Sequence, residues 1–182
     1  KGLLFKIFAD IDVFDIEIGT KDIEEFIQTV KNIAPTFGGI NLEDIKAPES
    51  FEIERRLVEE LNIPVMHDDQ HGTAIISSAA LINALELAGK KAEDVKMVVS
   101  GAGSAAIACA DLYVLLGVKR ENIVMFNSKG MLTKDNPSLS ELQQKYAKDI
   151  PAKSLEEALV NADIFLGLST GDIMTPQMLL GM

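Results

Sequence analysis

The chain has 182 residues, 47% of them hydrophobic and 25% charged, with a formal net charge of −11. That length suits one domain, or one complete domain with part of another, and the balance is ordinary for a soluble globular fold. The acidic excess argues against nucleic acid or an anionic membrane surface as partner, because both recruit Lys and Arg. No apolar run reaches membrane-spanning length, no signal-peptide pattern opens the chain, and the single Cys109 excludes an internal disulfide, pointing to a reducing, cytoplasmic compartment.

Strand and helix patterns then alternate along the chain. Lys1–Ala9 reads as a short helix, Val13–Ile18 as an alternating strand, and Asp22–Ile33 as an amphipathic helix. Thr36–Leu42 is strand-like, Pro48–Leu61 a charged amphipathic helix, Pro64–His67 a short strand, and Thr73–Leu87 a small-residue helix ending near Gly89. A second series follows: strand Val95–Ser100, helix Ser104–Leu116, strand Ile123–Phe126, helices Leu139–Lys148 and Leu155–Asn161, and strand Ile164–Leu168. This alternation predicts an α/β fold with parallel sheets covered by helices on both faces. The charged stretch Gly89–Asp94 is the expected boundary, dividing the chain into residues 1–90 and 91–182. Lys1 stands inside an apolar helical pattern, and Met182 follows closely on the helix-start pair Thr175-Pro176, so both ends read as cuts through a larger protein.

The residues Gly101-Ala102-Gly103-Ser104-Ala105-Ala106 follow an apolar strand and open a helix, the context of a dinucleotide-binding turn. Gly101 permits the tight turn, Gly103 lets a diphosphate approach the backbone, and Ala106 takes the place of the third glycine, where helix and strand pack closely. The alternative is a purely structural turn. At the tip of the next strand, Asn127-Ser128-Lys129 contains no carboxylate. Asn127 can hydrogen-bond a ribose without repelling a 2′-phosphate, and Lys129 can pair with that phosphate. This inclines the site toward NADP and leaves NAD open.

Two acidic pairs, Glu43-Asp44 and Asp68-Asp69, each end a predicted strand. The carboxyl ends of strands line the ligand crevice of an open parallel sheet, so three of these carboxylates suit Mg²⁺ or Mn²⁺. Solvated strand-end acids are the alternative. His67 and His71, four residues apart, suit zinc only on a helix, whereas Pro64 and Gly72 favour a strand running into a turn.

The stretches Pro35–Asp44 and His67–Ala74 closely resemble those of malic enzymes, above all the small microbial type, and the resemblance covers essentially the whole chain. It implies a metal- and substrate-site portion over residues 1–90 and a Rossmann-like, doubly wound NAD(P)-binding domain over residues 91–182. It further implies Glu43, Asp44 and Asp69 as metal ligands, with Asp68 as the carboxylate that pairs with the catalytic lysine. Lys1 sits at that lysine's position, Ala102 to Ala105 match the turn that contacts the diphosphate, and Asn127 falls where NAD-using relatives often carry aspartate. The implied activity is oxidative decarboxylation of malate to pyruvate and CO₂, with hydride transfer to NADP or NAD and assistance from Mg²⁺ or Mn²⁺. The full-length protein is expected to be a homo-oligomer, a dimer. The family's catalytic tyrosine and its later asparagine loops fall outside this sequence, so the isolated chain is expected to be inactive; neither Tyr113 nor Tyr146 matches the tyrosine motif. Two other readings are a non-catalytic dinucleotide-binding or assembly module, and a dehydrogenase for a different 2-hydroxy acid.

Overall fold

The computed structural model describes residues 1–150 and 154–182. Its contacts gather into two units, residues 1–40 with 52–65 and residues 41–51 with 66–182.

The first unit begins with helix α1 (Gly2–Ala9), none of whose residues is buried. The strand expected over Val13–Ile18 does not form. A strand needs a neighbour to take its backbone hydrogen bonds, and no described segment pairs with this one. Helix α2 (Ile23–Ile33) is capped by Asp22, whose carboxylate accepts from the Glu25 N–H at 2.9 Å, and it buries Ile27 and Val30. Two ion pairs tie α2 to helix α3 (Glu49–Glu60): Arg56 grips the Glu24 carboxylate through two nitrogens, and Lys31 meets Glu60 at 2.5 Å. Glu24 is exposed, so solvent screens such pairs and the apolar faces carry the packing.

Strands β1 (Ile40–Leu42) and β2 (Val65–His67) pair in a two-stranded sheet. The first is shorter than expected: Thr36 ends a 3₁₀ turn, and Phe37 to Gly39, with their glycine pair, form no strand. The Ile40 N–H donates to the Pro64 carbonyl at 2.9 Å, so the two strands start side by side.

Helix α4 (Asp68–Ala88) starts five residues before the predicted Thr73. Asp68 and Asp69 therefore form its first turn, where the helix dipole favours negative charge, rather than a strand end followed by a turn. Helix α4 packs along helix α5 (Ser104–Leu115). That packing groups residues 66–90 with the second unit, whereas the charged stretch alone suggested a division at 90/91.

In the second unit, strand β3 (Met97–Ser100) is buried along its whole length. It pairs in parallel with β4 (Ile123–Asn127) on one side and with β6 (Ile164–Gly167) on the other; the two-residue β5 (Gly130–Met131) adds an antiparallel edge. Alternate residues of β3 serve opposite faces, as the pleat requires. Met97 and Val99 join Cys109, Ala110 and Tyr113 of α5 and Leu81 of α4, whereas Val98 joins Phe126, Leu159 and Phe165. The second cluster lies with helices α7 (Leu155–Leu159) and α8 (Pro176–Gly181), and helix α6 (Glu141–Gln144) precedes them in the chain. A mainly parallel sheet clothed on both faces is the doubly wound α/β architecture the sequence predicted.

Candidate functional site

The sheet order β5-β4-β3-β6 reverses direction at β3, because the chain passes first to β4 on one side and later to β6 on the other. Ligands of open α/β sheets bind beyond the carboxyl ends of the strands at such a reversal. Here the turn Gly101–Gly103 leaves β3. The Gly101 N–H donates to the Phe126 carbonyl at 2.8 Å, the Leu168 N–H donates to the Ser100 carbonyl at 2.7 Å, and the Ser100 and Ser169 hydroxyls lie 2.9 Å apart.

The two glycines of the turn differ in what they permit. Gly101 has φ +123°, and a Cβ there would stand 2.5 Å from the Leu168 carbonyl oxygen, so no larger residue fits. At Gly103, an added Cβ would meet nothing within 4 Å. The space above Gly103 is open to a ligand. Gly103 is also the N-cap of α5 and brings no side-chain acceptor, leaving the first N–H groups of that helix to an anion. Ser104 and Ala105 form the first turn of α5, and Ala106 is 1% exposed where the helix presses on the sheet. A dinucleotide's diphosphate fits this cradle.

At the tip of β4, Asn127 Oδ1 accepts the Lys129 N–H at 2.8 Å. The oxygen of the amide is thus turned into its own loop, and the Nδ2 donor is left for a ligand. Lys129 is exposed beside it. The loop offers donors, which suits a 2′-phosphate better than a 2′-hydroxyl that must also donate.

Glu43 and Asp44 follow β1, Asp68 and Asp69 follow β2, and all four belong to the second unit. Asn41 Nδ2 donates to Glu43 Oε1 at 3.1 Å, and Asp44 adopts a left-handed φ of 56°. Asp69 is exposed and Asp68 half-buried. Among the described residues, no three His, Cys, Asp or Glu side chains are gathered closely enough to hold a metal ion. The oxygen donors are of the right chemical type for Mg²⁺ or Mn²⁺, but their arrangement does not enclose one. Gly72 bears on the same turn: a Cβ there would stand 2.5 Å from Asp68 Oδ1, so the carboxylate folds back over the bare glycine one helical turn later. Lys1, the other expected catalytic residue, is exposed at the N-cap of α1 in the first unit.

The tyrosines behave as core. Tyr113 is 2% and Tyr146 0% exposed. Burial raises the pKa of both phenols, and at Tyr146 the Asp111 carboxylate, accepting its hydroxyl at 2.5 Å, adds to the rise. One contact at the glycine turn escaped the sequence reading. Gln143 on α6 donates from Nε2 to the Ala102 carbonyl at 2.9 Å, joining α6 to the glycine turn.

Comparison with known proteins places these features. The family model described as "Malic enzyme, NAD binding domain" matches residues 70–181, and "Malic enzyme, N-terminal domain" matches residues 18–58. The chain is 56% identical over 180 residues to an NADP-dependent malic enzyme of Salmonella typhimurium, covering 98% of this chain and 24% of that protein. It is 51% identical over 180 residues to an NAD-dependent malic enzyme of Rhizobium meliloti, covering 98% and 23% respectively. Among solved structures, an NAD-dependent malic enzyme from Thermotoga maritima superposes with TM-score 0.92 at 45% identity, covering all of this chain and 49% of the other. The chain spans about a quarter of the length of these curated relatives. Fold, glycine turn and sequence kinship agree: the chain belongs to the malic enzyme family.

Proposed function

We propose that this chain carries the dinucleotide site and the acidic residues of an enzyme that converts malate to pyruvate and CO₂ while reducing NADP. The observation that carries this reading is the open cradle over Gly103 at the sheet reversal, in a chain that belongs to the malic enzyme family. NAD(P)⁺, when bound, supplies the hydride acceptor for C2 of the substrate. The N–H groups at the start of α5 would hold its diphosphate, and the Asn127–Lys129 loop would hold the adenosine ribose end. Lys1 is the residue we assign to take the proton of the substrate hydroxyl at Nζ as hydride leaves C2, and Asp68 is a carboxylate we assign to the same reaction. Loss of CO₂ from the resulting keto acid leaves an enolate, and its protonation gives pyruvate.

Glu43, Asp44 and Asp69 are the residues we assign to a divalent ion on their oxygen-only chemistry, although among the described residues no three such side chains are gathered closely enough to hold one. The outward Asn127 donor and the exposed Lys129 support NADP over NAD, and the matched relatives include users of each. No helix of the described residues is long and apolar enough to cross a membrane. Malate as the small-molecule partner, a homodimeric intact protein and a cytoplasmic location complete the proposal. The test is malate-dependent formation of NADPH by the intact protein in Mn²⁺, set against the same protein carrying Asp69→Ala.

A further inference from the structure

Ser140 and Gln143 begin α6 with a reciprocal cap. The Gln143 N–H donates to Ser140 Oγ at 3.3 Å, and the Ser140 N–H donates to Gln143 Oε1 at 3.1 Å. That second bond fixes which end of the Gln143 amide is oxygen. The other end, Nε2, then points to the Ala102 carbonyl at 2.9 Å, across 41 residues of chain. The bridging amide is committed at both ends and cannot flip without losing two hydrogen bonds.

Ala102 and Gly103 share one peptide unit. In a trans peptide the carbonyl of one residue and the N–H of the next point in opposite directions. Drawing the Ala102 oxygen toward α6 therefore turns the Gly103 N–H away from α6. Gly103 is the turn residue over which no atom of the chain closes. We propose that Gln143 is a positioning residue for the cofactor: its side-chain amide sets the Ala102–Gly103 peptide so that the Gly103 N–H faces the bound diphosphate. The inference rests on the reading of Gly101–Ala106 as the dinucleotide turn. It adds a residue from a separate helix that acts through the backbone.

The competing reading is that Gln143 only caps α6, and two substitutions separate the roles. Gln143→Glu keeps an oxygen to accept the Ser140 N–H but sets another against the Ala102 carbonyl, so the cap survives and the tether is lost. Ser140→Ala removes the bond to the Gln143 N–H and leaves the tether in place. Binding is measured on the intact protein by NADPH fluorescence, with adenosine 2′-phosphate, which lacks the diphosphate, as a second probe. Gln143→Glu is expected to weaken NADPH binding about tenfold, the scale of one well-placed hydrogen bond, while adenosine 2′-phosphate binds as before. It also raises KM for the dinucleotide and leaves kcat within about threefold. Ser140→Ala changes thermal stability and not NADPH affinity. Equal weakening of both probes by Gln143→Glu, no weakening at all, or an equal effect of Ser140→Ala would overturn the inference. Gly103→Val reports on the underlying reading. If it binds NADPH like the wild type, the turn is not the diphosphate site and the inference falls with it. If it loses NADPH while Gln143→Glu does not, the turn stands and Gln143 alone is excluded.

Discussion

The Leu168 carbonyl oxygen lies 2.5 Å from where a Cβ on Gly101 would stand, whereas a Cβ on Gly103, two residues along, would touch nothing. The fold therefore requires a glycine at 101 and not at 103. Gly101→Ala combines a φ of +123° with a backbone clash and should cost about 3 kcal/mol of stability, read as a lower midpoint in chemical denaturation. Gly103→Ala has an ordinary φ of −83° and free space. Its denaturation midpoint should stay at the wild-type value while KM for the dinucleotide rises about tenfold, because the methyl group takes the diphosphate's place. Equal loss of stability in the two variants would contradict this division.

Gly72 separates stability from activity in the same way. Alanine is favoured over glycine inside a helix by about 1 kcal/mol, but its methyl group meets Asp68 Oδ1. That oxygen ends a short rotatable side chain, so Asp68 swings aside and the helix is kept. Gly72→Ala should melt within a few degrees of the wild type and lose about tenfold or more in kcat, as expected if Asp68 takes part in the reaction. Unchanged kcat would remove Asp68 from that role.

On the proposed reading, cofactor choice turns on one atom of Asn127. Its Oδ1 is held by the Lys129 N–H, so the outward group is a donor. Asn127→Asp keeps the internal acceptor and replaces the donor with a carboxylate oxygen, which repels a 2′-phosphate and accepts from a 2′-hydroxyl. The ratio of kcat/KM for NADP to that for NAD should fall about 100-fold, and saturation curves with the two cofactors measure it.

Much of this arrangement was legible in the sequence. The β3 strand, the glycine turn and α5 were placed within a residue or two, because an unbroken apolar run, a glycine pair and small residues each have one good structural solution. The Val13–Ile18 alternation misled, since a period of two marks a strand only when a partner is at hand. The start of α4 was missed because Gly72 reads as a breaker. In the fold that glycine gives Asp68 the room to turn back over the helix. The pattern Ser140-x-x-Gln143 announces a helix cap, but nothing local announces that the same glutamine reaches Ala102.

Lys148 gives a pH signature away from the site. Its Nζ donates to the carbonyls of Arg120, at 3.0 Å, and Glu121, and partial burial lowers its pKa to about 8 against the opposing charge of Glu121. The folded value lies below the unfolded one, so folding releases a proton between them, and this group's contribution to stability rises as pH increases from about 8 toward 10.5. Competitive acetylation should show Lys148 reacting with a midpoint near 8. Lys148→Met should flatten the stability profile over that range. A midpoint above 10 would contradict the assignment.

The central claim is that the glycine turn and the acidic residues serve one reaction, and product stoichiometry tests it most directly. Malate, NADP and Mn²⁺ are supplied to the intact protein, and NADPH and pyruvate are measured together. The account predicts equimolar NADPH and pyruvate from the wild type, and a rate reduced about 100-fold or more by Asp69→Ala. Binding of NADPH without turnover, NADPH formed without pyruvate, or an undiminished rate in Asp69→Ala would contradict it.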